Sequence, residues 1–153
     1  MTNTDVATGI DTRTAPYAAF LLRVGLGLLF LAHGLVLKVM TFGLAGTAGY
    51  FQSIGYPAAF AYLVILGEIG GGLLLVAGVY TRWIALALLP IMIGATLQHV
   101  GNGWVFSSAN GGWEFPVFWT VLLVVQSLLG DGAFALKVPA LNGSGNAALA
   151  QRG

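Results

Sequence analysis

The chain contains no cysteine. A disulfide, a thiolate metal site and a thiol redox step of its own are therefore excluded, and any electron chemistry has to use a bound cofactor or a partner. Charge is also scarce. Only 7% of the 153 residues are Asp, Glu, Lys or Arg, against 58% hydrophobic residues, whereas a soluble domain carries about 25% charged residues. The net charge of +1 comes with no basic patch, so nucleic acid has no electrostatic footprint to recognise. No Gly-rich phosphate loop, nucleophile elbow or zinc motif occurs. Residues 1–16 lack the basic start and small-residue cleavage pattern of a secretory leader.

What the chain does have is four long apolar runs: roughly Tyr17–Met40, Pro57–Val79, Arg82–Val100 and Trp113–Gly130. Crossing the hydrocarbon core takes about 20 helical residues, and backbone groups in lipid must be paired internally. The expectation is an all-α fold, a bundle of four transmembrane helices, the last short but sufficient if it stands upright. The first connection mixes Leu44, Tyr50, Phe51 and Ile54 with Gly, Thr, Gln and Ser, which predicts a short interfacial helix in the first outer loop. Three regions follow: a flexible tail over 1–16, a membrane domain over 17–138, and an Ala/Gly/Asn/Ser-rich disordered tail over 139–153. Arg13, Arg23, Arg82, Lys137 and Arg152 gather on one side and only Lys38 on the other, which predicts that both termini are cytoplasmic. Pro90 predicts a kink in the third helix, with Gly94 one turn on allowing close packing there. Trp104, Trp113 and Trp119 predict an aromatic belt at the outer boundary.

Glu68 is the residue that most needs explaining. It sits inside the second run, about 16 Å deep by helical rise, where a charged side chain costs roughly 2.5–3.5 kcal/mol on insertion scales. Gly71, Gly72 and Leu75 share its stripe, and Gly67 and Gly71 form a small-xxx-small pair, so Glu68 is expected to face a close helix contact. It can pair with a cation or keep its proton. Arg23, Gly27, Phe30, Gly34 and Lys38 fall on one stripe of the first helix. Arg23 is the preferred cation partner, about 7 Å nearer the cytoplasm and able to reach with a long side chain; its alternative is to snorkel to the headgroups. His33, Lys38, Gln98, His99 and Glu114 are expected together in the outer half of the bundle, either as a polar site or as interfacial groups in contact with water. A bis-histidine haem is disfavoured, because His33 and His99 differ in depth by about 6–7 Å.

These strings carry a resemblance. Helix one reads RVGLGLLFLAHGLVLKV, with Arg23, His33-Gly34 and Lys38. The loop ends SIGYP, and helix two reads LGEIGGGLLLVAGVYTR, with Glu68, Gly71, Gly72, Gly78, Thr81 and Arg82. Helix three ends in QH, and helix four opens NGGWEFP and closes LLGDGAFAL. Over roughly residues 17–138 the chain resembles the DoxX family of small four-helix bacterial membrane proteins. The resemblance implies an inner-membrane protein of the DoxX, DoxD and YqjF-like group, some of whose members are linked to quinone-coupled oxidation of sulfur compounds and others to oxidative-stress complexes with soluble redox enzymes. The expected function is that of a membrane subunit of a redox system, with a quinone as its candidate ligand, a redox partner protein or self-association, and Arg23, His33, Lys38, Glu68, Gln98, His99 and Glu114 as candidate binding residues. The alternative is a non-enzymatic membrane scaffold or assembly factor. A proton or small-molecule carrier ranks last, since no inverted repeat stands out.

Overall fold

The computed structural model describes residues 9–136. Among them the chain is all-helical: α1 (Ala15–Leu31) continues into a π-helical segment (Ala32–Thr41), then come α2 (Gly43–Ser53), α3 (Ala58–Ala77), α4 (Thr81–His99), a 3₁₀ turn (Val100–Asn102) and α5 (Glu114–Leu129). The expected C-terminal tail and most of the expected N-terminal one lie outside the described residues. Within the latter, Asp11–Thr14 forms a turn that leads into α1, with the Ala15 N–H donating to Asp11 O at 3.0 Å.

Local chemistry sets the helix boundaries. Pro16 occupies the first turn of α1, where its missing N–H costs nothing. Pro57 precedes α3, and Glu114 opens α5, where a carboxylate suits the helix dipole. Gly43 and Gly55, both at positive φ, bracket α2. The helix predicted in the first long connection is thus present as an 11-residue element. α3 stops at Gly78, whose φ of +74° glycine adopts without the steric cost of a Cβ. The Gly78 N–H donates to Leu75 O and the Val79 N–H to Leu74 O, the pairing of a Schellman cap. Three residues later α4 begins, antiparallel to α3.

α1 packs along α3, α3 along α4, α4 along α5 and α5 back against α1, while α2 lies across α3 and the π-helical segment. Leu26, Phe30, Leu75, Ala85, Leu88, Met92, Trp119 and Leu123 fill the centre. The outward faces remain apolar, with Leu21, Leu66, Trp83, Leu97 and Leu128 all exposed. Three helical stretches are long and apolar enough to cross a bilayer: Ala15–Thr41, Ala58–Ala77 and Thr81–Asn102; α5 is a shorter apolar helix of 16 residues. Apolar faces turned outward on such helices are what a lipid solvent requires, and the molecule is a membrane protein in contact with the bilayer.

Two expectations change. Trp119 is buried in the core against Phe30 (ring centroids 4.6 Å apart) and is no part of an outer belt; Trp104 and Trp113 do meet, edge to face at 4.4 Å. Gly94 has no neighbour within 4 Å of where a Cβ would stand, so it makes no close helix contact one turn beyond Pro90.

Candidate functional site

The α1–α3 contact is built on missing side chains. A Cβ on Gly27 would lie 2.8 Å from Gly72 O, one on Gly72 2.9 Å from Gly27 O, and one on Gly34 2.8 Å from Glu68 Cβ. Glycine at all three positions lets the backbones approach closely. The resulting antiparallel register sets position 27 against 72 and 34 against 68. Gly67 and Gly71 serve the other side of α3, where a Cβ would meet Ile91 and Leu88 of α4.

That register decides which cation reaches Glu68. The Lys38 ammonium donates to Glu68 Oε1 at 2.8 Å. It stands equally close, 2.8 Å, to Oε2, so the ammonium sits against both oxygens of the buried carboxylate. Glu68 is 4% exposed, and Lys38 is half-buried. The Lys38 carbonyl accepts from the buried Thr47 hydroxyl of α2 at 2.9 Å, which fixes the backbone that carries the lysine. Lys38 lies in the π-helical segment, whose i→i+5 pattern shows in the Phe42 N–H donating to Leu37 O. Such windings are rare and frequent at functional sites.

Arg23, expected as the partner of Glu68, is engaged elsewhere. Its guanidinium donates to Leu75 O at 2.8 Å, Val76 O and Ala133 O at 3.0 Å, and its Cζ lies 5.3 Å from the centroid of the Phe20 ring. The physical reason is register. Arg23 faces Leu75, seven residues and about 10 Å of helical rise from Glu68. The last carbonyls of α3 carry the negative end of its dipole, and lone pairs left over after the cap bonds hold the cation there. The stripe Arg23–Gly27–Gly34–Lys38 holds as read from the sequence, but its opposite end makes the ion pair.

The outer cluster also divides. His33 Nδ1 sits 2.9 Å from Leu29 O, and its ring packs edge-on against Trp119 at 5.0 Å. His99 Nδ1 lies 3.0 Å from Gly111 O, and Asn102 donates to the same carbonyl at 2.9 Å. Glu114 Oε1 accepts the Phe106 N–H at 2.8 Å. Among the described residues no hydrogen bond or ion pair joins Gln98, His99 or Glu114 to the Lys38–Glu68 pair; His99 and Glu114 bond the connection between α4 and α5, and Gln98 lies in the last turn of α4.

A second polar knot was not anticipated. At the α3–α4 turn, Asp131 Oδ1 accepts the Thr81 N–H at 3.1 Å, capping α4 from fifty residues away. Gln126 donates to Gly130 O at 2.7 Å, the Ala133 N–H to Pro16 O at 2.8 Å and the Leu136 N–H to Ala77 O at 3.0 Å. With Arg23 these bonds tie the segment after α5 to the ends of α1, α3 and α4. The sequence held Thr81 and Asp131 in view, yet no local spacing links them.

Comparison with known proteins follows the same residues. The chain is 39% identical over 77 residues to a Bacillus subtilis protein named "Putative oxidoreductase CatD", covering 50% of this chain and 55% of that protein. It is 32% identical over 123 residues to an uncharacterized Haemophilus influenzae protein, covering 79% of this chain and 89% of that one. The chain thus spans about half the length of the first relative and nearly all of the second. No solved structure matches. The DoxX family profile matches residues 18–101, the stretch that holds both Lys38 and Glu68, and the protein is a member of the DoxX family.

Proposed function

We propose that this protein is the membrane-embedded subunit of a redox or oxidative-stress system in a bacterial inner membrane. It crosses four times, with α5 upright as the fourth span and both termini cytoplasmic, and it receives a quinone headgroup beside Lys38 and Glu68. The name of the Bacillus subtilis relative supports the oxidoreductase association, and membership of the DoxX family supports the membrane setting.

The observation that carries the reading is the buried Lys38–Glu68 pair, in which the ammonium stands 2.8 Å from both carboxylate oxygens. A quinone needs a donor to its ring oxygen, and a quinol needs an acceptor for its hydroxyl. Lys38 has N–H groups beyond the one given to Oε1, and Oε2 can accept. Quinone reduction takes up protons with its electrons, so a protonatable carboxylate beside the ring is useful chemistry. His33, against Trp119, is the nearest further candidate for the site, on the same helix as Lys38. In this reading the electrons come from a partner protein. Arg23, Gln98, His99 and Glu114 hold the frame and the connections in this reading.

The test is thermal unfolding of the purified protein with a short-tailed quinone analogue. A rise of a few degrees in the wild type, absent in Glu68→Gln, is expected. An unresponsive wild type refutes the quinone site. A second reading, a scaffold or assembly factor, draws on the same pair as a device that fixes helix register. It is favoured if Glu68→Gln leaves partner capture intact and no redox phenotype follows.

A further inference from the structure

A separate feature lies on the outer face of α5. Glu114, Val117, Phe118 and Val121 are spaced three, four and seven residues apart and share one stripe. Trp104 and Phe106, from the connection that folds back over the helix, form the facing wall, and between them runs an open groove of about 440 Å³. The wall is fixed in place. The Trp113 N–H donates to Gly103 O and the Glu114 N–H to Trp104 O, both at 3.1 Å, and the Phe106 N–H donates to Glu114 Oε1 at 2.8 Å. The groove therefore has a polar end, at the start of the helix, and an apolar body about 10 Å long by helical rise. It shares no lining residue with the Lys38–Glu68 pair.

The two ends want different chemistry. Phe118 and Val121 are exposed on a helix packed against the membrane-crossing α4, so the apolar body suits a hydrocarbon chain. Glu114 has one oxygen in use and one without a hydrogen bond, and no cation pairs with it among the described residues. It is the only charged residue of the lining. A carboxylate placed there repels an anionic headgroup and attracts a donor of positive charge. We propose that this groove holds a phospholipid with a primary ammonium headgroup, the ammonium on Glu114 and the upper part of one acyl chain along Val117, Phe118 and Val121.

Native mass spectrometry of the full chain, purified in mild detergent and titrated with phosphatidylethanolamine or phosphatidylglycerol, tests this. The wild type is expected to retain phosphatidylethanolamine in preference. Glu114→Gln keeps an oxygen for the Phe106 N–H but loses the charge, and should bring the two lipids together by weakening phosphatidylethanolamine binding roughly threefold, the scale of a solvent-facing ion pair. Val121→Trp fills the groove from an outward-facing position and should release both lipids while helix content by circular dichroism stays unchanged. Equal retention of the two lipids by the wild type, a preference that survives Glu114→Gln, or undiminished binding in Val121→Trp would each overturn the proposal. So would a wild-type dimer that Val121→Trp dissociates, since a second copy would then be the occupant.

Discussion

At the scale of single residues, Arg23 has the most partners to lose. It is fully buried and bonds three backbone carbonyls from two separate stretches of chain. Arg23→Leu removes the guanidinium bonds to Val76 O and Ala133 O and leaves Leu75 O with the Gly78 N–H alone; at about 1–3 kcal/mol for each stranded carbonyl, a loss of about 2 kcal/mol or more is expected in reversible unfolding from mixed micelles. Arg23→Lys should recover only part of it, because an ammonium cannot reproduce the planar fork that spans three acceptors. Equal stability of Arg23→Leu and wild type would show that the guanidinium is no clamp. The case also shows how far a stripe of residues can be read. That Arg23 and Lys38 both face α3 follows from helical periodicity alone. Which of them meets Glu68 depends on the sliding register of two helices, and that is set by Gly27 against Gly72 and Gly34 against Glu68, a three-dimensional fit that no one-dimensional spacing contains.

At the scale of elements, the close approach of α1 and α3 rests on glycines whose roles differ. Gly72→Ala would put a Cβ 2.9 Å from Gly27 O and against Leu31, whereas Gly25 has nothing within 4 Å. Gly72→Ala is expected to destabilise by about 1–3 kcal/mol through overpacking, while Gly25→Ala should stabilise by about 0.5–1 kcal/mol through backbone entropy. Unfolding free energies of the two variants check this, and a reversed order would contradict the described packing. The elements themselves were largely legible: apolar runs, Pro16, Pro57 and Gly78 mark the helices, and the mixed 41–56 stretch marked α2. The π-helical winding over Ala32–Thr41 was not, since no residue spacing in it separates an i→i+5 pattern from the i→i+4 pattern of the run before it. Nor was the capping of α4 by Asp131, a contact between residues fifty apart. Trp119 was misplaced because a tryptophan near a helix start reads as an interfacial anchor until its neighbours are known.

At the scale of the whole molecule, the helices meet in a ring whose core is apolar except where Lys38 and Glu68 close on one another and where Arg23, Thr81 and Gln126 are buried near the α3–α4 turn. One polar centre joins the π-helical segment to α3 and the other ties the segment after α5 to the ends of α1, α3 and α4. The sequence identified Glu68 as the anchor of the first and left the second unread, because most of its bonds go to backbone carbonyls and amides. The account depends on the first centre being a true pair of charges in a dry setting, and a double-mutant cycle measures that directly. Lys38→Met and Glu68→Leu alone should each cost about 3–5 kcal/mol by stranding the other charge, while the double variant should lose much less than their sum. Unfolding free energies in mixed micelles that give a coupling of about 1.5 kcal/mol or more agree with the account; losses that simply add, with a coupling under about 0.5 kcal/mol, contradict it.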